Sequence, residues 1–257
     1  MGGHPFTRDR VPRVARIFHA VSEAIQTQTL LCEYSETRAE VQDEIKSESP
    51  LCTFPYSTFG VTDQEGRPLV YYEKLEDEDG HNPGRAIWRG KLGDTDMIVK
   101  FCETYGAEPH RLLADAGLAP RLHHFGRIEG GLYIAVMDFV RGVDAHKYFQ
   151  QVRMDIYVEV ELPDGVREDV TAAIKILHDA GFVLGDPRRP NVIVIEGELG
   201  TDGNWETRGM LIDFDWAGIY GQATYPPVLN GDIEWACGVG GGGLIEKEHD
   251  LFMLRNF

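Results

Sequence analysis

Three polar residues at the ends of two short apolar runs constrain this chain more than any other feature of its sequence. Asp186 and Asn191 lie five positions apart, in a turn that leads into the apolar run Val192–Ile195. Asp213 directly follows a second apolar run, and a polar segment separates the two runs. Apolar runs of this length between turn residues are typical of β-strands. We therefore expect a strand pair, joined by a hairpin, that brings the three side chains together.

Two carboxylates and an amide form a donor set that suits phosphoryl transfer. In that chemistry the protein mainly positions the reactants and holds Mg²⁺ on the phosphates. Mg²⁺ prefers oxygen ligands and usually takes only one or two from the protein. Asn191 and Asp213 are the proposed Mg²⁺ ligands, and Asp186 is the group proposed to accept the hydroxyl proton of the substrate.

The charge of the chain argues against several classes of partner. Its 257 residues include 25 Lys and Arg against 42 Asp and Glu, a formal net charge of −17. A nucleic-acid backbone or an anionic membrane needs a basic face on the protein, so neither is expected as the main partner. Arg188 and Arg189 nevertheless form a local basic patch beside the proposed site. The hydrophobic content of 42% is that of an ordinary globular protein, with enough chain for one two-lobed domain.

The cysteines and the N-terminal residues predict a soluble intracellular protein, cytoplasmic or nuclear. The four cysteines form no C-x-x-C pair and have no metal-site spacing, so we expect free thiols in a reducing compartment. They are Cys32, Cys52, Cys102 and Cys237. The first ten residues lack the apolar core of a signal peptide. No apolar run is long enough to span a bilayer. The oligomeric state is left open.

The first 65 residues are interpreted as an N-terminal extension. Between Val11 and Leu31 apolar residues recur at intervals of three and four, which predicts an amphipathic helix. Residues 32–65 are polar and acidic, with Pro50 and Pro55 as breakers and no sustained period.

A strand-rich half follows from Pro68. Three apolar and aromatic segments separated by polar turns predict an antiparallel meander. They cover residues 69–75, 85–92 and 97–101. Lys100 lies on the third segment, and a helix over residues 105–116 places Glu108 where it could reach Lys100. Two more strands are predicted over residues 121–125 and 132–137. His123 and His124 have no carboxylate or Cys at ligand spacing, so we interpret them as a strand-end pair, not a metal site.

The second half is predicted to be mainly helical. Residues 138–142 leave the last strand through a glycine and suit a linker between the halves. Apolar periodicity predicts a helix over residues 165–180. Residues 246–254 are also predicted to form a last helix. The chain between Gly218 and Glu246 is rich in Gly and Pro and is predicted to be loop.

This order of elements resembles that of the protein-kinase-like phosphotransferases. The motifs GDPRRPN (185–191) and IDFDWAG (212–218) are most similar to those of the fungal protein-kinase-like domains. The catalytic loop also resembles the H-G-D-x-x-x-x-N loop of aminoglycoside and choline kinases. The resemblance covers residues 68–257. It implies an α+β, two-lobed protein-kinase-like domain over residues 66–257, with the N-lobe at 66–138, the hinge at 138–142 and a short, mainly helical C-lobe at 143–257.

The resemblance also assigns roles to individual residues. Lys100 would hold the α and β phosphates of ATP, and Glu108 would orient Lys100. Asp186 would be the catalytic base, and Arg188 would lie near the transferred phosphate, where bidentate donors are useful. Asn191 and Asp213 would bind Mg²⁺, with Asp215 as a further candidate ligand. The hinge residues Asp138, Phe139 and Val140 would line the adenine pocket, and His249-Asp250 would mark the helix that anchors the catalytic loop.

Several residues depart from the family pattern. Leu184 stands where the catalytic loop of the family has His, and Pro187 directly follows the proposed base. The turn DEDGHNPG (77–84) has no G-x-G-x-x-G, and the spacing between Lys100 and Glu108 is short for a protein kinase. Asp215 replaces the Gly of the D-F-G motif.

Three functions follow from these features. The first is an ATP- and Mg²⁺-dependent phosphotransferase that acts on a hydroxyl of a protein or a small molecule. The second is a pseudokinase that binds nucleotide or a partner without turnover, as the departures would allow. The third is a metal-dependent hydrolase that uses the carboxylates of Asp186, Asp213 and Asp215. This last function leaves Lys100 and the strand meander unexplained.

Overall fold

The strand-rich half folds into one antiparallel sheet. The computed structural model describes residues 60–75, 86–128, 131–155, 162–199 and 205–255. The strands are β1 (Val70–Lys74), β2 (Ile87–Leu92), β3 (Thr95–Cys102), β4 (Leu122–Arg127) and β5 (Tyr133–Asp138). Their order in the sheet is β1-β2-β3-β5-β4, and every neighbouring pair is antiparallel. The predicted meander is confirmed, whereas the predicted helix over residues 11–31 lies outside the described residues.

Alternation along the central strand β3 explains why this sheet is stable. Met97 and Val99 are buried on one face and belong to the core of the sheet, together with Ile134 and Val136 of β5. Burying an aliphatic side chain of this size contributes roughly 1.5–3 kcal/mol. Val61 is also buried in this core, and its carbonyl accepts the backbone N–H of Leu69 at 3.0 Å.

A single helix lies between β3 and β4. This helix, α1 (Ala107–Asp115), is close to the predicted range of 105–116. Its Leu113 packs in the core of the second half of the domain, beside Leu118 and Ala119. The carbonyl of Leu118 accepts the backbone N–H of Leu211 at 2.8 Å. The helix and the turn after it therefore connect the first sheet to the elements that follow.

In the described part of the chain, the second half contains three helices, a three-stranded sheet and a two-stranded sheet. Its elements are β6 (Val143–Asp144), α2 (Ala145–Asp155), α3 (Asp164–Asp179), β7 (Phe182–Val183), a 3₁₀ turn (Arg189–Asn191), β8 (Val192–Leu199), β9 (Trp205–Leu211), β10 (Gly218–Ile219) and α4 (Lys247–Arg255). The expected hairpin is β8 with β9, and α3 packs its apolar face against this pair. The core lies between them and includes Val170, Ile174 and Leu177 of the helix. Within the described residues, no helix is both long and apolar enough to cross a membrane.

Helix α2 was not predicted from the sequence. Its N-terminal signal is nevertheless present, because the Asp144 side chain accepts the backbone N–H of Lys147 at 2.8 Å. An Asp in this position satisfies one of the free N–H groups of a helix start. The predicted loop between Gly218 and Glu246 is confirmed apart from two features, the short strand β10 (Gly218–Ile219) at its start and an isolated bridge between Thr224 and Leu244.

Candidate functional site

The candidate site lies where β3 faces the loop after β9. Lys100 is in the middle of β3, paired with Ala135 of β5, and its side chain is only 11% exposed. Its Nζ lies 2.7 Å from Asp213 Oδ1 and 2.7 Å from Asp215 Oδ1. Burial on its own would lower the pKa of Lys100, but the two carboxylates outweigh it and raise that pKa. The ammonium therefore stays charged and neutralises part of the acidic pair.

The two acids of this loop, Asp213 and Asp215, have distinct features: an unusual backbone conformation in the first and a shifted pKa in the second. Asp213 has a φ of +67°, a left-handed conformation that an L-residue other than Gly seldom adopts. Its Oδ1 accepts the backbone N–H of Asp215 at 3.3 Å, a local bond that makes this conformation less costly for Asp.

Burial and the charge of Asp213 raise the pKa of Asp215 to about 6, although Lys100 opposes the shift. Positively charged ligands are therefore favoured beside this pair at neutral pH.

The proposed base is held by its own loop. Asp186 is buried, and Arg188 pairs with both of its carboxylate oxygens: Nε with Oδ1, and Nη2 with Oδ2 at 2.7 Å. Asn191 Nδ2 donates to Oδ2 at 2.9 Å and to the Asp186 carbonyl at 3.0 Å. Burial raises the pKa of Asp186, while Arg188 and Asn191 lower it and the charge of Asp213 adds to the rise. The net rise makes Asp186 a better proton acceptor than an exposed Asp.

The Asn191 amide is oriented for a ligand by these bonds. Both of its donor bonds go to Asp186, so the amide oxygen is the atom that remains for a ligand. The backbone carbonyl of Asn191 accepts the N–H of Ile212 at 2.9 Å, next to Asp213. Asn191 is thereby fixed to both acidic loops.

An apolar cleft with a volume of about 510 Å³ adjoins these groups. Its walls come from the first sheet, the hinge and β8. The apolar lining includes Ile87, Ile98, Met137, Phe139, Val140 and Ile193. The polar side chains that face the same cleft include Lys100, Asp138, Asn191 and Asp213. A slot of this kind, mostly apolar with a few polar groups at one end, suits a flat heterocycle that carries charged substituents.

Arg89 supports the hinge end of the cleft. Its guanidinium lies 4.2 Å from the ring centre of Phe139, within the range of a cation–π contact. The Phe139 backbone N–H donates to the Asp96 carbonyl at 3.0 Å. Asp138 Oδ1 lies 2.6 Å from His123 Nε2. The hinge is therefore fixed to strands β2, β3 and β4.

A buried stack holds the Asp213 loop against α1. Phe214 is fully buried, and its ring stacks on His110 with centroids 4.4 Å apart and planes 6° apart. His110 Nε2 contacts the Pro120 carbonyl at 2.7 Å, and Nδ1 contacts the Tyr105 hydroxyl at 2.6 Å. Burial lowers the pKa of His110 to about 4, so the ring is neutral. A neutral ring donates from Nε2 to the carbonyl and accepts from Tyr105 at Nδ1.

The structure also places Asp250 beneath the loop that carries the proposed base, Asp186. Asp250 is fully buried, and it accepts the backbone N–H groups of Leu184 at 2.9 Å and of Gly185 at 2.7 Å. His178 Nε2 lies 2.9 Å from the same carboxylate. The expectation that the His249-Asp250 helix anchors this loop is confirmed. Leu184 itself packs in the core of the second half.

Most of the residues proposed from the sequence are brought together. Lys100, Asn191 and Asp213 line one cleft with the hinge residues, and Asp186 and Arg188 adjoin it through Asn191. Asp215 contacts Lys100 at the same point. Within the described residues, three or more His, Cys, Asp or Glu side chains grouped to hold a metal are not found. The proposed Mg²⁺ site therefore has an amide and a carboxylate as its ligands, with Asp215 beside them, and its use of Mg²⁺ stays a prediction.

Glu108 is not brought to Lys100. It lies in the first turn of α1 with its side chain exposed, because the buried face of this helix presents Pro109, His110 and Leu113. The acidic partners of Lys100 in the structure are Asp213 and Asp215. The predicted orienting contact from Glu108 is thus not seen in the part of the chain that the structure describes. The DEDGHNPG turn (77–84) lies outside that part.

Two groups near the site had no assigned role in the sequence analysis. One is the His110–Tyr105 pair, for which the sequence offers no signal beyond the apolar spacing of α1. The other is a set of three aromatic residues after Asp215, two of which lie in the segment predicted only as loop. They are Trp216, Tyr225 and Trp235, with ring centroids about 6 Å apart.

Comparison with known proteins supports the fold. No protein-family model matches the sequence, and no match is found among curated proteins. The structure of vaccinia related kinase 3 is 13% identical with a TM-score of 0.50, over 80% of this chain and 67% of that chain. A Mycobacterium tuberculosis PknI kinase domain is 18% identical with a TM-score of 0.44, over 76% and 71%. The Cydia pomonella granulovirus kinase PK-1 is 17% identical with a TM-score of 0.43, over 63% and 58%.

The chain has the two-lobed α+β fold of protein kinases. An antiparallel sheet with one helix forms the N-lobe, and a hinge joins it to a C-lobe of helices, a three-stranded sheet and a short strand pair. The chain spans about three fifths of the granulovirus kinase structure that it matches. At these identities the likeness concerns the fold, and the chemistry has to be argued from the site.

Proposed function

We propose that this protein is an ATP- and Mg²⁺-dependent phosphotransferase that moves the γ-phosphate of ATP to a hydroxyl group. The observation that carries the proposal is the contact of Lys100 Nζ with Asp213 Oδ1, at 2.7 Å, between residues 113 positions apart. It joins a strand of the N-lobe to the loop that carries a proposed Mg²⁺ ligand. Asn191 and Asp186 adjoin the same point, so cation, metal ligands and base share one end of an apolar cleft.

The lining of the cleft fits a nucleotide. The adenine ring would lie between Ile98 and Ile193, beside the hinge residues Asp138, Phe139 and Val140. Lys100 is the buried cation at the opposite end, where the phosphates would need a counter-charge. The raised pKa of Lys100 keeps this charge present at neutral pH.

The oxygen donors fit Mg²⁺. The Asp213 carboxylate and the Asn191 amide oxygen are hard ligands, and two protein ligands suffice when phosphates and water supply the rest. Bound Mg²⁺ would neutralise charge that develops on the phosphate oxygens. Asp215 is the weaker candidate ligand, because its pKa is raised to about 6 and its carboxylate would be partly protonated near pH 6.

Asp186 and Arg188 would carry the transfer step. The acceptor hydroxyl gives its proton to the Asp186 carboxylate as its oxygen forms a bond to the γ-phosphorus. The bond between that phosphorus and the bridging oxygen breaks, and ADP leaves. Arg188 favours the ionised form of Asp186 against the effect of burial, and it would supply N–H donors next to the transferred group. Asp250 holds the backbone of this loop in place.

A pseudokinase is the second candidate, and one observation favours it. Both carboxylate oxygens of Asp186 are engaged by Arg188 and Asn191. The loop also has Leu184 at the position where a His is expected. An acceptor hydroxyl would have to share Oδ1 or Oδ2 with these donors. A protein that binds nucleotide without transfer would keep this pairing throughout.

Label transfer from γ-labelled ATP to a panel of protein and small-molecule hydroxyls separates the two candidates. For a phosphotransferase, we expect Mg²⁺-dependent transfer by the wild type and a loss of at least 10³-fold in Asp186→Asn. Equal transfer by the two proteins would remove the catalytic assignment. Stabilisation by Mg-ATP in a thermal-shift experiment without any transfer would identify a nucleotide-binding pseudokinase.

The acceptor class is part of the proposal. The Asp in place of the Gly of D-F-G, together with the resemblance of the catalytic loop to that of aminoglycoside and choline kinases, favours a small-molecule hydroxyl over a protein hydroxyl. The panel contains both protein and small-molecule acceptors, so the label transferred to each class tests this preference. Preferential labelling of a peptide would correct this preference and leave the phosphotransferase assignment intact.

A further inference from the structure

Trp235 lies beside the proposed base without being part of a helix or a strand. It sits in the segment 225–244, where Trp235 Nε1 donates to the Asn230 carbonyl at 2.9 Å. Its ring packs at 6.0 Å from the rings of Trp216 and Tyr225. Trp235, Trp216 and Tyr225 form what we call the aromatic cluster. The Trp235 ring is therefore held both by its hydrogen bond to Asn230 and by its packing on Trp216 and Tyr225, although it is partly exposed.

The ring of Trp235 contacts Arg188. The Arg188 guanidinium carbon lies 5.6 Å from the centre of the ring, within the distance at which a cation–π contact is significant. The same guanidinium pairs with both oxygens of Asp186. A planar guanidinium can meet a carboxylate with its edge and an aromatic ring with its face at the same time. Arg188 is thus held between the proposed base and the aromatic cluster.

The cluster also connects Arg188 to the other acidic loop. Trp216 follows Asp215 in the chain, and its Cβ lies against Gly185, the residue before Asp186. Tyr225 is almost fully buried, and its hydroxyl lies 3.3 Å from His249 Nδ1, next to Asp250. Trp235 therefore contacts a frame that is fixed to both loops of the site, while its partner Arg188 is a long side chain with many rotamers.

We infer that Trp235 is a positioning residue that fixes the guanidinium of Arg188 against Asp186. The contact with Arg188 belongs to the free protein and is independent of any activity. The consequence for phosphate transfer rests on the proposed function. Without the ring, Arg188 has one fewer constraint and spends less time in the orientation in which it supports the base and the transferred phosphate.

The contact is tested first without substrate, by a double-mutant cycle on stability. Trp235→Leu removes the ring and keeps apolar bulk, and Arg188→Ala removes the cation. We expect the two changes to be coupled by about fivefold in the unfolding equilibrium constant, measured by chemical denaturation. Val239→Ala is the matched control, because Val239 packs against the same apolar core and has no cation–π contact with Arg188. Additive effects of Trp235→Leu and Arg188→Ala would overturn the inference.

Kinetics test the positioning role. We expect Trp235→Leu to lower kcat at least tenfold while the KM for ATP changes by less than threefold, and Trp235→Phe, which keeps a ring face, to recover most of kcat. An unchanged kcat in Trp235→Leu, alongside a strong loss in Arg188→Ala, would overturn the positioning role. If the wild type transfers no phosphate, the proposed function fails. The stability cycle then decides on its own whether Trp235 interacts with Arg188 or only packs within the aromatic cluster.

Discussion

The Asp250 carboxylate accepts the backbone N–H of Leu184 at 2.9 Å, which fixes the start of the catalytic loop from below. The contact explains how the loop tolerates an apolar residue at the position where the resemblance to kinase-like proteins predicts His. Backbone groups carry the hydrogen bonds to α4, so the side chain at position 184 is left to pack in the core. The loop is therefore anchored by its main chain and not by the residue that the sequence motif emphasises.

Asp250→Asn should destabilise the protein strongly. Asn keeps one acceptor oxygen, but its amide N–H₂ would face a backbone donor of Leu184 or Gly185 and leave it unsatisfied. Loss of a buried, multiply bonded carboxylate costs about 2–4 kcal/mol in the free energy of unfolding. Chemical denaturation at pH 7 measures this loss.

Asp179→Asn is the matched control for that measurement. Asp179 pairs with Lys175 on the same helix, α3, and both side chains are mostly exposed. Exposed pairs of this kind contribute little. We expect no measurable change, and equal losses in the two variants would show that Asp250 has no special anchoring role.

Gly185→Ala should be more harmful than the same change at Gly221. Both glycines have positive φ values, +86° and +77°, so both variants share the conformational cost of an L-residue there. A Cβ at Gly185 would lie 2.8 Å from Ile245 Cδ1, whereas nothing lies within 4 Å at Gly221. We expect a loss of about 1 kcal/mol at Gly221 and about 2–3 kcal/mol at Gly185, read from denaturation midpoints. Equal losses would mean that Ile245 moves aside without cost.

Lys100→Met should make the stability of the protein fall more steeply as pH rises from 5 to 8. Burial and Asp213 already raise the pKa of Asp215 to about 6, and Lys100 opposes that rise. Without the Lys100 ammonium the pKa of Asp215 in the folded protein increases further. The variant therefore keeps losing stability as pH rises above 6, where the stability of the wild type no longer falls through this group. The stability gap between the two proteins should therefore widen from pH 5 to pH 8. Lys175→Met, which removes an exposed cation, is expected to show a gap that does not change with pH.

His110 should make the protein less stable in mild acid. Burial lowers its pKa to about 4 from a usual value of 6.5, so the unfolded chain binds the proton first as pH falls. The stabilisation is complete above pH 6.5 and is lost progressively down to about pH 4, by an amount on the order of 2–3 kcal/mol. Subtracting the stability curve of His110→Phe from that of the wild type isolates this contribution. A difference curve that stays flat between pH 7 and pH 4.5 would show that His110 titrates normally.

Local patterns were sufficient to predict most of the elements of the domain. The strand meander and the β8–β9 hairpin follow from short apolar segments between polar turns, and α1 and α3 follow from apolar residues on one helix face. A sequence displays both signals directly. Helix α2 was missed because its apolar period is weak, although the capping residue Asp144 marks its start. The spacing of Asp186, Asn191 and Asp213 also carried enough information to propose a phosphate site.

The tertiary structure alone decided which of these groups touch. Lys100 and Asp213 are 113 positions apart, and no local pattern indicates that Lys100 would bind two acids of the Asp213 loop instead of Glu108. The length and burial of α1 turn Glu108 outward and place His110 against Phe214. Likewise Arg188 meets Trp235 only because the segment after Asp215 folds back over the catalytic loop. The sequence by itself determined the elements and the kind of chemistry, since both depend on near neighbours in the chain, whereas pairing across the cleft depends on long-range packing that only the folded chain defines.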